Sequence, residues 1–482
     1  MTAPIEGSAT PHTETLPPPK ADRLSPATIE RLKEAAALLR QAEKPVRVLR
    51  AVAWGPEVAE GFFAAGEKEL PKVSYTPLDA APVHEALQAA RALIDGGAEG
   101  SRGPVQAWLL RTADVIGTGA DMLAGIGTKE FHRQSLKLYG SPQADLLNCD
   151  VRPLDLARML DYVLGSFHNL EINLDAKTET TSTAEELAER MAKVLTRHFA
   201  EAAPKIEMVD HLSSNALAGA RYIRIRRGAV FSDRDLAQLV QHEAFVHIAT
   251  SLNGAAQTDF PILAAGHPGT TRTQEGLAVF AELISGAMDP TRLMRLADRV
   301  LAIQMSMDGA NFLELYRFFS DRTHDKFVAF ENARRITRGG LVEGGAPFTK
   351  DSVYLEGLIR VHNFLRIAVQ ETRVDCIRLL FAGKMDIDDM PAITTLAAHG
   401  LCTFPRFLPP WARDLRFVLS YIAYSSFLNR MNLERVRGHY KDMLDSCAPP
   451  VPAGEGAPRP ATAPASQPLS AEAALAAVSR ED

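Results

Sequence analysis

The sequence predicts an α+β protein, predominantly helical, with a small mixed or antiparallel sheet next to a helix that carries two histidines. Two observations lead there. Apolar residues recur at helical spacing through most of the chain between residues 25 and 446. Strand-like alternation is confined to three short windows, 44–54, 205–210 and 221–228, and there is no internal repeat of fixed period.

Residues 1–24 are rich in Pro, Thr and small polar residues, and residues 447–482 form a second tail dominated by Pro and Ala. Such compositions bury too little apolar area to offset chain entropy, so both tails are expected to be disordered; the closing "SAEAALAAVSRED" alone has helical propensity. Residues 25–150 read as a mainly helical N-terminal region packed on a second region, 151–446, that carries the chemistry. Ser25-Pro26 supplies a cap and a first-turn proline for the first helix. "KPVRVLRAVAW" (44–54) then alternates like a strand. Helices are expected in "APVHEALQAARALIDGG", "VQAWLLRTADVIGTGADMLAGIG", "TKEFHRQSLKLYG", "RPLDLARMLDYVLGSF" and "TAEELAERMAKVLTRHF", the last capped by Ser182 or Thr183. "KIEMVD" and "RYIRIRRG" read as strands, the second setting Tyr222, Arg224 and Arg226 against Ile223 and Ile225. A short turn leads into "FSDRDLAQLVQHEAFVHIATSLNG". There Ser232 and Asp235 have capping-box spacing, Leu236, Leu239 and Val240 mark a buried side, and Gly254 offers an ending. The chain to residue 446 is again largely helical, broken by loops at "GGLVEGGAPFTKDS" and "FPRFLPPW".

Composition narrows the function. The 482 residues are 46% hydrophobic and 23% charged, ordinary for a soluble protein. No run approaches a membrane span, so no membrane insertion is expected, and the N-terminus lacks the charged and apolar regions of a secretory signal, which points to the cytoplasm. A net charge of -6 without a basic stripe argues against nucleic acid as a partner. Four scattered cysteines with no C-x-x-C pair exclude a thiolate zinc site, so any metal is held by His and carboxylate.

The stretch "QHEAFVHIAT" (241–250) comes one residue short of a familiar zinc pattern. In H-E-x-x-H the histidines share a helix face and the glutamate serves as base. Here His242 and His247 are five apart. On an α-helix, groups four apart diverge by about 40° and groups five apart by about 140°, so the two imidazoles cannot meet on a regular helix. A π-bulge restores the relation, and the helix is therefore expected to be bulged, or to end, between residues 242 and 247. A third ligand would give a His₂Glu set with an open position. Glu275 is the first candidate, placed in the first turn of a new helix by the capping-box spacing of Thr271 and Gln274; His267, in the intervening loop, is its rival. Glu282, seven residues beyond Glu275 on nearly the same face, is placed to orient a ligand histidine.

"HEAFVH", then "TQEGLAVFAE", "ENARRITRGG" and "FTKDSVYLEG", together resemble the family named for its QEGLA motif, over roughly residues 28–446. Its bacterial members are called flavohaemoglobin expression-modulating proteins, and it includes the eukaryotic microtubule-associated tyrosine carboxypeptidases, metallopeptidases that remove the C-terminal tyrosine of α-tubulin. The resemblance implies a zincin-like zinc peptidase with His242, His247 and Glu275 as ligands of one Zn²⁺ and Glu243 as the catalytic carboxylate. A metallocarboxypeptidase acting on a peptide or protein with a free C-terminus also needs a cation for the terminal carboxylate. Arg334, Arg335, Arg338 and Lys350 are the candidates, with Tyr354 assisting the oxyanion, while Arg224 and Arg226 are placed to contact a substrate added as a strand. Two other readings use the same residues: a non-haem iron enzyme, since two histidines and a carboxylate also form the iron facial triad, and a non-catalytic metal-binding regulator.

Overall fold

A computed structural model of the chain describes residues 24–96, 103–146, 151–168, 181–210, 212, 215–323, 325–428, 437, 440, 441 and 443. The closing "SAEAALAAVSRED" and both tails, Leu24 aside, lie outside the described residues. Among those described, helices dominate and strands occur only between residues 181 and 232. No described helix is long and apolar enough to cross a membrane.

The first helix, Pro26–Glu43, begins as its cap dictates, with Ser25 Oγ accepting the Thr28 amide at 3.2 Å. Leu32, Ala35, Ala36 and Leu39 recur on one face and are fully buried against the helix Ala81–Asp95. That helix packs in turn on Pro104–Ala124, the longest of the described helices, which also carries Lys129–Tyr139. The alternation read over 44–54 does not make a strand. Val48–Ala51 is one helical turn, and Val46, Val52 and Trp54 are buried between helices rather than along a sheet. A period of two also arises when short turns repeatedly return a chain to one core, and no described strand is available to pair with this one.

Alternation marks two of the five described strands, those within 205–210 and 221–228. Strand β1 (Thr181–Thr183) pairs antiparallel with β5 (Val230–Ser232). Strand β2 (Lys205–Val209) runs parallel to β4 (Tyr222–Arg226), and β3 (Ala216–Ala218) closes the other side of β4 antiparallel. Ile223 and Ile225 point into an apolar layer shared with Leu187, Met191, Leu195 and Phe199 of the helix Ala184–Phe199, which starts in a Thr183–Glu186 capping box. β5 hands the chain to the histidine segment through the expected box, Asp235 N to Ser232 Oγ at 3.2 Å and Ser232 N to Asp235 Oδ2 at 2.8 Å. Gly254 does not end that segment. The helix runs to Ala255, and a Cβ on Gly254 would stand 2.2 Å from the Leu263 carbonyl oxygen, so the glycine serves close packing instead.

The two helices that matter most for the site are Pro268–Ile284, which contains the QEGLA motif, and Val353–Gln370. They cross with backbones touching. A Cβ on Gly276 would meet the Gly357 carbonyl oxygen at 2.3 Å, and one on Gly357 would meet the Arg272 carbonyl oxygen at 2.4 Å. Both glycines are thereby excluded from carrying a side chain, and their contact brings the segment around Lys350 up to Glu275. One apolar core joins Leu32, Trp108 and Phe131 to Val246, Leu277, Phe280 and Leu365, so it runs across residue 150. We expect Gly276→Ala to lower the unfolding free energy by about 1–3 kcal/mol, the usual cost of overpacking a tight contact. Urea titration checks this, and an unchanged midpoint would mean that the helices part without cost.

Candidate metal centre

The histidine segment is not a regular helix. It is α-helical over Asp233–Leu239, becomes a π-helix over Val240–Ile248, and returns to α over Ala249–Ala255. The irregular turn brackets His242 and His247, as their five-residue spacing requires. Their rings lie 4.9 Å apart, centroid to centroid, at 79°. Glu275 faces both, its Oε2 standing 3.5 Å from His242 Nε2 and 3.7 Å from His247 Nε2. Ligand atoms about 2.0–2.2 Å from a tetrahedral ion stand roughly 3.3–3.6 Å apart, so the two distances to Glu275 lie in or just above that range and the donor types are ones a metal ion accepts. It is the one group of three or more His, Cys, Asp or Glu residues among those described whose ligand atoms all fall within 4.8 Å of one another.

Glu275 reaches this place differently from the sequence reading. The helix begins at Pro268 with His267 as its N-cap, so Glu275 lies two turns inside it, and Thr271 and Gln274 are interior residues rather than a capping box. Gln274 Oε1 instead stands 2.8 Å from Thr250 Oγ1. His267 is buried at the helix start, where burial pushes its imidazole down to about 4, and it is not part of the three-residue group.

Around the three groups stands a shell of buried charge. His242 Nδ1 donates to Glu282 Oε1 at 2.6 Å. Glu282 also accepts a two-pronged contact from Arg292, Nε and one terminal nitrogen each at 2.9 Å. A carboxylate on Nδ1 leaves Nε2 as the ring atom facing Glu275. Burial alone depresses the basicity of His242, but its hydrogen bonds to Glu275 and Glu282 outweigh that and hold it well above the usual range. Burial likewise raises the Glu275 carboxyl, and Lys350 together with the two imidazoles brings it well below the usual range. Lys350 Nζ donates to Glu275 Oε1 at 3.2 Å. Glu243, beside His242 but outside the three-residue group, accepts the backbone amide of Ala218 on β3 at 3.0 Å. Lys384 hydrogen-bonds the His247 carbonyl and Gln274 Oε1, each at 3.3 Å; burial pushes it down to about 8.

The remaining candidates separate. Arg335 is committed to Asp351 through contacts of 2.7 and 3.2 Å, and Arg334 is paired with Glu331. Arg338 is 7% exposed and, among the described residues, has no ion pair and no partner for its Nε; burial and neighbouring Arg335 bring it down to about 10. Tyr354 is buried with Lys350 Nζ 5.3 Å and the Arg299 guanidinium 5.6 Å from its ring. Arg224 and Arg226 do not sit on an accepting edge. β4 is the middle strand, flanked by β2 and β3, and the two arginines contact Glu207 and Asn215. Sequence reasoning missed Arg292, Arg299 and Lys384, which reach the site from distant segments without any spacing to mark them.

The family model for microtubule-associated tyrosine carboxypeptidase matches residues 60–430. No curated protein matches the chain.

Glu282 supplies a pH test. Burial raises its carboxyl, yet Arg292 and the hydrogen bonds from His242 and Arg292 hold it at about 2, against roughly 4.3 for an unfolded glutamate. A depressed carboxyl contributes stability that is present above about pH 4.3 and is lost as pH falls toward 2, up to about 3 kcal/mol for a gap of roughly two units. Urea unfolding of metal-free protein at pH 6 and pH 3 should therefore show a larger acid loss in the wild type than in Glu282→Gln. Equal losses would count against this ion-pair assignment.

Proposed function

The chain belongs to the microtubule-associated tyrosine carboxypeptidase family, and from that premise we propose that it is a zinc-dependent peptidase releasing the C-terminal residue of a peptide or protein. The observation that carries this reading is the convergence of His242, His247 and Glu275, with Glu243 adjacent and outside the group. His242, His247 and Glu275 would hold a zinc ion, which when bound would supply Lewis acidity toward the scissile carbonyl and lower the pKa of a water toward ~7. Glu243 takes the proton of the attacking water and delivers it to the leaving amine, ordinary work for a carboxylate beside a ligand. The Ala218 amide that holds Glu243 orients its carboxylate and leaves the other oxygen for the proton.

The distribution of charge supports an exopeptidase. Arg335 and Lys350 spend their charges on Asp351 and Glu275, and Arg338 has no carboxylate partner among the described residues. A guanidinium buried in that state suits the terminal carboxylate of a substrate, with which it forms a forked pair. Tyr354, whose ring lies near Lys350 and Arg299, is our candidate for the hydroxyl that steadies the oxyanion. Substrates are then peptides with a free C-terminus; the tyrosine and the microtubule of the family description extend to this chain as a proposal only.

The experiment incubates zinc-loaded protein with peptides of free or amidated C-terminus and reads products by mass spectrometry. Free termini should be trimmed by one residue and amidated ones left whole; internal cleavage of both would overturn exopeptidase action. Glu243→Gln should keep its zinc by atomic absorption and lose about 10²–10⁴ in kcat. If that variant cleaved as fast as the wild type, the role of Glu243 would fall. Arg338→Met should lower kcat/KM on free termini about 10–100-fold, matching the roughly 1.5–3 kcal/mol of a hydrogen bond to a charged group. Chelation should abolish cleavage and zinc restore it. Restoration by ferrous iron alone, with oxygen uptake, would favour the iron reading.

A further inference from the structure

The π-turn carries a backbone cost of its own. Each change from i→i+5 to i→i+4 bonding leaves a carbonyl at the junction short of an amide donor. The Ala249 amide shows the conflict, since it is divided between the Ala244 and Val246 carbonyls. Three side-chain donors gather on the carbonyls next to this junction. Thr250 Oγ1 donates to the Val246 carbonyl at 2.7 Å, Ser251 Oγ to the His247 carbonyl at 2.7 Å, and Lys384 Nζ to the same carbonyl at 3.3 Å.

The first two are local, as serine and threonine often bond a carbonyl one turn back. Lys384 is different. It arrives from 137 residues away in sequence, and the loop that carries it is pinned: its own amide donates to the Leu263 carbonyl at 2.7 Å, while neighbouring Gly383 leaves no room for a Cβ against Leu263. Its second acceptor is Gln274 Oε1, at 3.3 Å. Gln274 adjoins Glu275, and its Oε1 also stands 2.8 Å from Thr250 Oγ1, as an alternative acceptor to the Val246 carbonyl for that one hydroxyl proton. No carboxylate pairs with Lys384 among the described residues, so a nearly buried cation is devoted to one backbone carbonyl and one amide oxygen, each next to or within a candidate ligand.

We propose that Lys384 is a positioning residue that braces the π-turn to the QEGLA helix, fixing the spacing between His247 and Glu275. The inference rests on the metal-centre reading for its consequence, but the brace itself belongs to the metal-free chain. A charged donor anchored in another segment contacts the His247 carbonyl, and through Gln274 the same ammonium links that carbonyl to the residue beside Glu275.

The test compares full-length wild type, Lys384→Met, Lys384→Arg and Gln274→Leu, all stripped of metal. Hydrogen exchange across residues 240–255, read by mass spectrometry, reports the turn. Competition with a chromophoric chelator reports Zn²⁺ affinity, and the visible spectrum of the Co²⁺ form reports ligand geometry. We expect faster exchange in this segment for Lys384→Met and Gln274→Leu, with the rest of the chain unchanged. We also expect Zn²⁺ binding to weaken about 10–100-fold and the Co²⁺ bands to alter, with partial recovery in Lys384→Arg. Wild-type exchange in both variants, with Zn²⁺ affinity within twofold of wild type, would overturn the proposal. Should Lys384→Met not fold, Gln274→Leu decides by the same measurements. If the wild type bound neither ion while exchange still quickened in the variants, the metal reading would fall and the brace would stand.

Discussion

Two histidines five residues apart set the terms for everything near this site. An α-helix would turn them to different sides, and only a segment wound at i→i+5 lets both face Glu275. Such a segment is poorly stable alone, so it is enclosed on two sides. Val246 belongs to the large helical core, while Val240, Ala244, Phe245 and Ile248 pack into the layer beneath the sheet. The irregular turn lies between two apolar bodies, the helical core and the layer beneath the sheet.

The second constraint is charge. Bringing carboxylates and cations into a protein interior is costly unless each is paired and hydrogen-bonded. Around the site the pairs are explicit: Glu282 with Arg292, Glu275 with Lys350, Asp351 with Arg335. Each pair also performs a geometric task. Arg292 fixes Glu282, which fixes the His242 ring; Lys350 fixes one oxygen of Glu275 while the other faces the imidazoles. Arg338 stands outside this pattern of pairing, which is why it draws the substrate carboxylate in the proposed reaction. The meeting of Gly276 and Gly357 lets the two helices cross this closely, because a side chain at that crossing would clash with the facing backbone.

Much of this is legible in the residues wherever the signal is local. Ser25, Thr183 and Ser232 each cap the helix that follows them, and the alternation of Ile223 and Ile225 against Arg224 and Arg226 marks a true strand. Local signals also mislead. Residues 44–54 alternate without forming a strand, and Thr271-x-x-Gln274 has cap spacing in the interior of a helix that proline has already started. In both cases a pattern of two or three residues is outweighed by packing against distant segments. Arg224 and Arg226 read as edge residues yet occupy a middle strand, because a strand's neighbours are not written in its own residues.

By itself the sequence determined the helical character of the chain, two of its strands (β2 and β4), and the need for an irregular turn between His242 and His247, since all three follow from spacing along a backbone of fixed geometry. It also supplied Glu275 and Glu282, seven apart on one helix. What only the tertiary structure decided is which remote groups complete the site. Arg292, Arg299 and Lys384 reach it from other helices and loops, and Arg335 and Arg338, close in sequence, receive opposite fates because Asp351 is within reach of one and pairs with it. Charge pairing depends on distance in space at a resolution of an ångström or less, and that distance is fixed by how helices cross, not by the order of residues within them.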